Sequence, residues 1–102
     1  MLALEIRLNG ELKATCGTGA IERLVGLLTA RRGSATLPKD FEFRVECQGR
    51  QPVSQDVNEA VKWVSTKVQL GDEISFRFVD VASADEPFDR QELSQKRDPS
   101  DA

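Results

Sequence analysis

The chain has no histidine and no tyrosine, one tryptophan, one methionine and two cysteines in 102 residues. A tetrahedral zinc site needs four ligands, usually Cys or His, and Cys16 and Cys47 cannot supply them. Without histidine, and with no serine-based signature, no catalytic, metal or cofactor residue is assigned, and an enzyme is not expected. No apolar run approaches the roughly 20 residues of a membrane span. The start, "MLALEIRLNG", lacks a basic leader, and Glu5 and Arg7 interrupt its apolar residues. These absences predict a cytoplasmic protein without a membrane partner. Clustered Lys and Arg are also wanting. Through Val81 the chain holds eleven basic and eleven acidic residues, and from Ala82 onward three and six, so the last stretch carries the whole net charge of −3. Nucleic acid is not the expected partner of such a surface.

What is present begins with "LALEIRLNGELKATC". Leu2, Leu4, Ile6 and Leu8 alternate with polar residues, as do Leu12, Ala14 and Cys16, and Asn9-Gly10 lies between. That pair tolerates the positive φ angles of a tight turn, so a β-hairpin with one buried face is predicted. "FEFRVECQ" alternates likewise, with Phe41, Phe43, Val45 and Cys47 inward. "EISFRFVDV" is the last strand, with Ile74, Phe76 and Phe78 on one phase; the shift to Val79 and Val81 suggests a bulge or an end covered on both faces.

Two segments point toward helix. In residues 20–31, Ile21, Leu24, Val25 and Leu28 fit one helical face, but Gly26 is costly there and "LVGLLT" also suits a buried strand; both readings stay open. In "DVNEAVKWVSTKV", Asp56 and Glu59 have capping spacing, and Val57, Ala60, Val61, Val64 and Val68 form a stripe, which predicts a helix over 56–68. The expected fold is α+β: an antiparallel-rich sheet of four or five strands with one or two packed helices. Residues 1–81 are expected to form one globular domain and 82–102 an acidic C-terminal tail.

Few residues suggest chemistry. Cys16 precedes "GTG", but the phosphate-binding patterns need a third glycine where Glu22 stands, or a following lysine. A reactive Cys16 would want a nearby base or cation. Trp63 sits at the edge of the predicted stripe, as a cover for the core or as a binding anchor. Arg77 and Asp80 lie on the outer rim of the last strand. In the tail, Pro87 could open a short helix toward Lys96 and Arg97, and Phe88 is a lone aromatic that either docks or stays free.

The layout "LEIRLNGE", "IERLVGLL", "FEFRVECQGRQPVSQ" and "LGDEISFRFVDV" resembles the β-grasp, ubiquitin-like sulfur carriers of thiamine and molybdopterin synthesis. That likeness implies a β-grasp-like arrangement. It departs at the Gly-Gly those carriers end in, because this sequence reads "DPSDA" there, so carrier chemistry is not implied. The strand "LEIRLNGE", the segment "LVGLLT" and the ending "GDEISFRFVDVASADEP" also resemble small uncharacterised bacterial proteins, a likeness that favours strand for residues 24–29.

The sequence leads to a non-enzymatic protein–protein interaction module with an unidentified protein partner. Trp63, Arg77, Asp80 and Phe88 are the candidate contacts. The alternative is a toxin-neutralising, immunity-type protein that covers a basic site by charge complementarity; a carrier-like protein comes third. An open edge strand could also pair two chains into a homodimer.

Overall fold

Asn9 and Gly10 take φ angles of 52° and 84°, as a type I′ turn requires. They join β1 (Leu2–Leu8) to β2 (Glu11–Cys16) in the expected hairpin. The computed structural model describes residues 1–94. On the other flank of β1 lies β6 (Ile74–Asp80), antiparallel, giving a three-stranded sheet in the order β2-β1-β6. A second, four-stranded sheet runs β3-β4-β5-β7, built from β3 (Arg23–Arg31), β4 (Glu42–Ser54), β5 (Val57–Val68) and β7 (Asp89–Ser94), antiparallel throughout.

The sheets pack face to face, with β1 across from β3 and β2 across from β5. Between them lies a core of Leu4, Ile6, Ala14, Cys16, Val45, Cys47, Val61, Trp63, Val64 and Val68. Each fully buried Leu, Ile or Val contributes about 1.5–3 kcal/mol, so the inward phases of β1, β4 and β5 supply most of the cohesion. Gly26 on β3 lies against Leu4 and Phe76 of the facing sheet. A Cβ there would stand 2.9 Å from Leu4 Cδ2 and from the Phe76 ring. The residue that weakens a helix here makes room for Leu4 and for the Phe76 ring.

The α+β expectation is overturned. The molecule is a β-sandwich, and among the described residues the sole helical element is one 3₁₀ turn, Pro38–Asp40. No helix crosses either sheet among the described residues, so the β-grasp-like arrangement does not hold. Residues 20–31, open between two readings, contain β3. Residues 56–68, expected as a helix, are β5 and the turn before it: Asp56, taken for a cap, is in the β4–β5 hairpin turn with Gln55.

The false helical stripe has a physical origin. Cys47 pairs with Val64 and Gln48 with Lys62, so Trp63 is an extra residue bulged out of the ladder. A bulge turns the next residues to the same face and resets the phase. Inward positions therefore step from Val61 to Val64 and imitate i, i+3, i+4 spacing. Ala60, counted in the stripe, pairs with Arg50 on the outward phase. A similar slip at Lys13 puts Leu12 opposite Arg7 on the outer face and leaves it exposed, against the inward reading. The bulge suggested near Val79 is absent, since β1 and β6 pair in continuous register to Asp80.

Candidate interaction surface

The two long sides of the sandwich are built differently. On the β2/β5 side the chain leaves β6, passes along β2 and enters the other sheet as β7. Asp85 anchors the crossing: its N–H donates to the Thr15 carbonyl at 2.8 Å, its Oδ2 accepts from the Thr15 N–H at 2.9 Å, and its carbonyl accepts from Trp63 Nε1 at 2.8 Å. The Phe88 N–H then donates to the Lys62 carbonyl at 2.9 Å. Arg90 bonds Glu59 Oε1 at 2.9 Å and Glu86 Oε2 at 3.3 Å. Glu59 Oε1 also accepts from Gln51 Nε2 at 2.6 Å, and Thr18 Oγ1 donates to Gln51 Oε1. This chain of hydrogen bonds ties residues 85–90 to both sheets.

On the β3/β6 side nothing equivalent is found among the described residues. Leu2, Phe76 and Phe78 share the inward phase of the three-stranded sheet, since Leu4 pairs with Phe78 and Ile6 with Phe76. Leu28 pairs with Val45 and shares the inward phase of the other sheet. Yet Leu2, Leu28 and Phe78 are 52%, 57% and 62% exposed. These are core-phase side chains left exposed: Leu2 and Phe78 line one shallow depression at the end of β6, Leu28 stands separately on β3, and exposed apolar positions of this kind are candidates for binding.

The four expected contacts do not come together. Trp63 is core: its bulge aims it between the sheets, close to Gly49, with its N–H satisfied. Phe88 shares a cleft of about 600 Å³ with Ile6, Leu8, Val45 and Trp63, and is itself exposed at the rim beside Lys13. Arg77 lies on the outer face of the three-stranded sheet, 3.6 Å from Glu5 Oε1. Asp80, at the end of β6, stands 3.1 Å from the Met1 amine. The short helix expected after Pro87 is not formed by the described residues, which give β7; Lys96 and Arg97 lie outside them. Sequence reasoning missed Phe78 and Leu28 because alternation marks the inward phase without showing whether a facing strand exists.

The cysteines are opposed across the core. Both are free and fully buried, and the hydrogen bond with Cys47, then burial, pushes the Cys16 thiol far above its ordinary range. A thiol so placed stays protonated and is a poor nucleophile. Among the described residues no three His, Cys, Asp or Glu side chains group as a metal site would require, and no helix is long and apolar enough to cross a membrane.

No family model, curated protein or solved structure matches the chain.

Proposed function

We propose that this chain is a non-enzymatic protein-interaction module that binds its partner through the β3/β6 side. The observation that carries the reading is the exposure of Phe78 and Leu28, which stand on core phases with no layer above them among the described residues. Exposed apolar side chains of this kind in a folded domain mark contact surfaces, and aromatic residues are favoured anchors within them. Of the expected contacts, Trp63 is packed in the core, while Arg77 pairs with Glu5 on the outer face of the three-stranded sheet, its side chain still 73% exposed. Phe88 remains a second exposed aromatic, on the opposite side.

The test is site-specific photocrosslinking in cells. A benzophenone amino acid replaces Phe78 in one variant and Phe88 in another. The reading expects a discrete protein adduct from position 78, suppressed by Leu28→Lys. A chain that stays monomeric and gives no adduct from position 78 defeats it.

A further inference from the structure

β1 lies across from β3, and β6 lies beyond β1. β3 is the last strand of its sheet on that side. The three-stranded sheet therefore overhangs its partner by roughly one strand. Phe76 reaches back over Gly26, whereas Phe78 projects past the edge and stays 62% exposed. A strand added beside β3, at the usual spacing of about 4.8 Å, would lie under β6 at about the normal sheet separation of 10 Å. We propose that β3 accepts an extended segment of a partner protein as a fifth strand of its sheet. The segment would be apolar at alternate positions, facing Phe76 and Phe78, with acidic residues at its ends. This rests on the interaction-module reading and gives it a binding mode and a partner chemistry.

The first support is the condition of the β3 edge. Its register with β4 runs unbroken from Arg23–Arg50 to Arg31–Glu42, while bulges interrupt the β1–β2 and β4–β5 ladders. The strand "RLVGLLTAR" holds no proline, lysine or acid. Those are the devices by which edge strands discourage pairing. An unbulged, apolar edge offers its free N–H and C=O groups to an incoming strand.

The second support is charge, which also selects the occupant. Arg23 opens β3, Arg31 closes it and Arg32 follows. Among the described residues none of the three makes an ion pair. Glu42, opposite Arg31, has its carboxylate 3.8 Å from Arg44. A second copy of the chain, paired antiparallel along the whole of β3, would set Arg23 against Arg31 at both ends of the ladder. Like charges directly opposite destabilise a pair. A segment of another protein with acids at its ends meets the same arginines favourably.

The experiment uses the full chain and an acetylated, amidated peptide with alternating Val and Thr flanked by Asp-Glu at each end. Affinity is read by fluorescence anisotropy and contact by amide hydrogen exchange. Binding is expected to slow exchange in residues 23–31. Replacing the peptide's acids with lysines should weaken binding about tenfold or more. Arg31→Glu with Arg32→Glu should shift the preference toward the lysine-ended peptide. Leu28→Lys, at an exposed position, should abolish binding while leaving the circular dichroism spectrum unchanged. Absence of protection in residues 23–31, or equal affinity for both peptides, overturns the proposal. So does a dimer by light scattering that Leu28→Lys disperses, because the occupant is then a second copy. A cellular adduct at position 78 without protection of β3 defeats strand addition alone and leaves the interaction module standing; no adduct defeats both.

Discussion

Trp63 and Phe78 are both aromatic, both on strands, and both aimed at the interior of the same sandwich. Trp63 is 7% exposed and Phe78 is 62% exposed. The difference lies in what the chain does next to each. Beside Trp63 the segment from Val81 to Phe88 passes along β2 and gives the indole N–H an acceptor at Asp85. Beside Phe78 the sheets end, and among the described residues β6 overhangs β3 without a strand beneath it. One side of the domain is closed by its own sequence and the other presents the same kind of side chain to the outside. Inward alternation thus specifies which face of a strand is apolar, while the strand count of the facing sheet decides whether that face is core or contact surface.

Breaking the closed side should have the largest effect. Trp63→Ala removes a buried aromatic from between the sheets and leaves the Asp85 carbonyl without its donor, at a cost of about 3–5 kcal/mol. Chemical denaturation should show the loss, and amides of β7 should lose protection before those of β1. A midpoint close to wild type would mean that the crossing does not depend on Trp63. Next in size is Arg90→Ala. It strips Glu59, whose side chain is only 16% exposed, of its ion pair, and leaves Gln51 Nε2 as the remaining hydrogen-bond donor to that oxygen. The expected cost is about 1 kcal/mol, again with faster exchange in β7. Phe78→Ala is the mirror experiment. At an exposed position it should change stability by no more than about 0.5 kcal/mol, yet it should weaken binding of the acid-ended peptide, as Leu28→Lys also should. Substantial destabilisation by Phe78→Ala would erase the distinction between the two sides.

The parts of this architecture that local chemistry dictates were readable. Asn9-Gly10 needs its positive φ angles, and "FEFRVECQ" and "EISFRF" alternate cleanly, so the hairpin, the first half of β4 and most of β6 follow from residue type; the second half of β4, "GRQPVS", reads as a loop from its Gly and Pro and is strand in the structure. The β5 strand did not, because one extra residue at Trp63 converts a period of two into a spacing that imitates a helix. A bulge is decided by pairing with β4, which is non-local. Its β-branched content, Val57, Val61, Val64, Thr66 and Val68, was the available signal. Gly26 misled in a related way: its cost in a helix was legible, whereas its use under Leu4 and Phe76 exists only once two sheets face each other. The candidate contact surface was the least legible part. Phe88 and Trp63 drew attention as unusual residues, while Phe78 and Leu28 looked like ordinary core and became candidates only through a missing neighbour.

The smallest predicted effect concerns how the open side is held at its near end. The Asn9 side chain donates to Asp72 Oδ1 at 3.0 Å and accepts from the Glu73 N–H at 2.9 Å, so the first hairpin turn is fastened to the turn that precedes β6. Asp72 Oδ2 also accepts from the Gln69 N–H at 2.7 Å. The Asn9 bond first, then the Gln69 bond, lower the Asp72 pKa below its ordinary 3.8. The folded chain therefore favours the ionised carboxylate over the protonated acid. Its contribution is present above about pH 3.8 and is lost as pH falls through the lower folded value. Since Asp72 is solvent-screened, the loss should be local: amides of residues 74–80 should exchange faster than the intrinsic acid dependence predicts. Asn9→Asp keeps a residue that tolerates positive φ but sets a second carboxylate beside Asp72, and should speed exchange in β6 already at neutral pH. If β6 amides in that variant match wild type, the latch contributes nothing and β6 is held by its pairing with β1 alone.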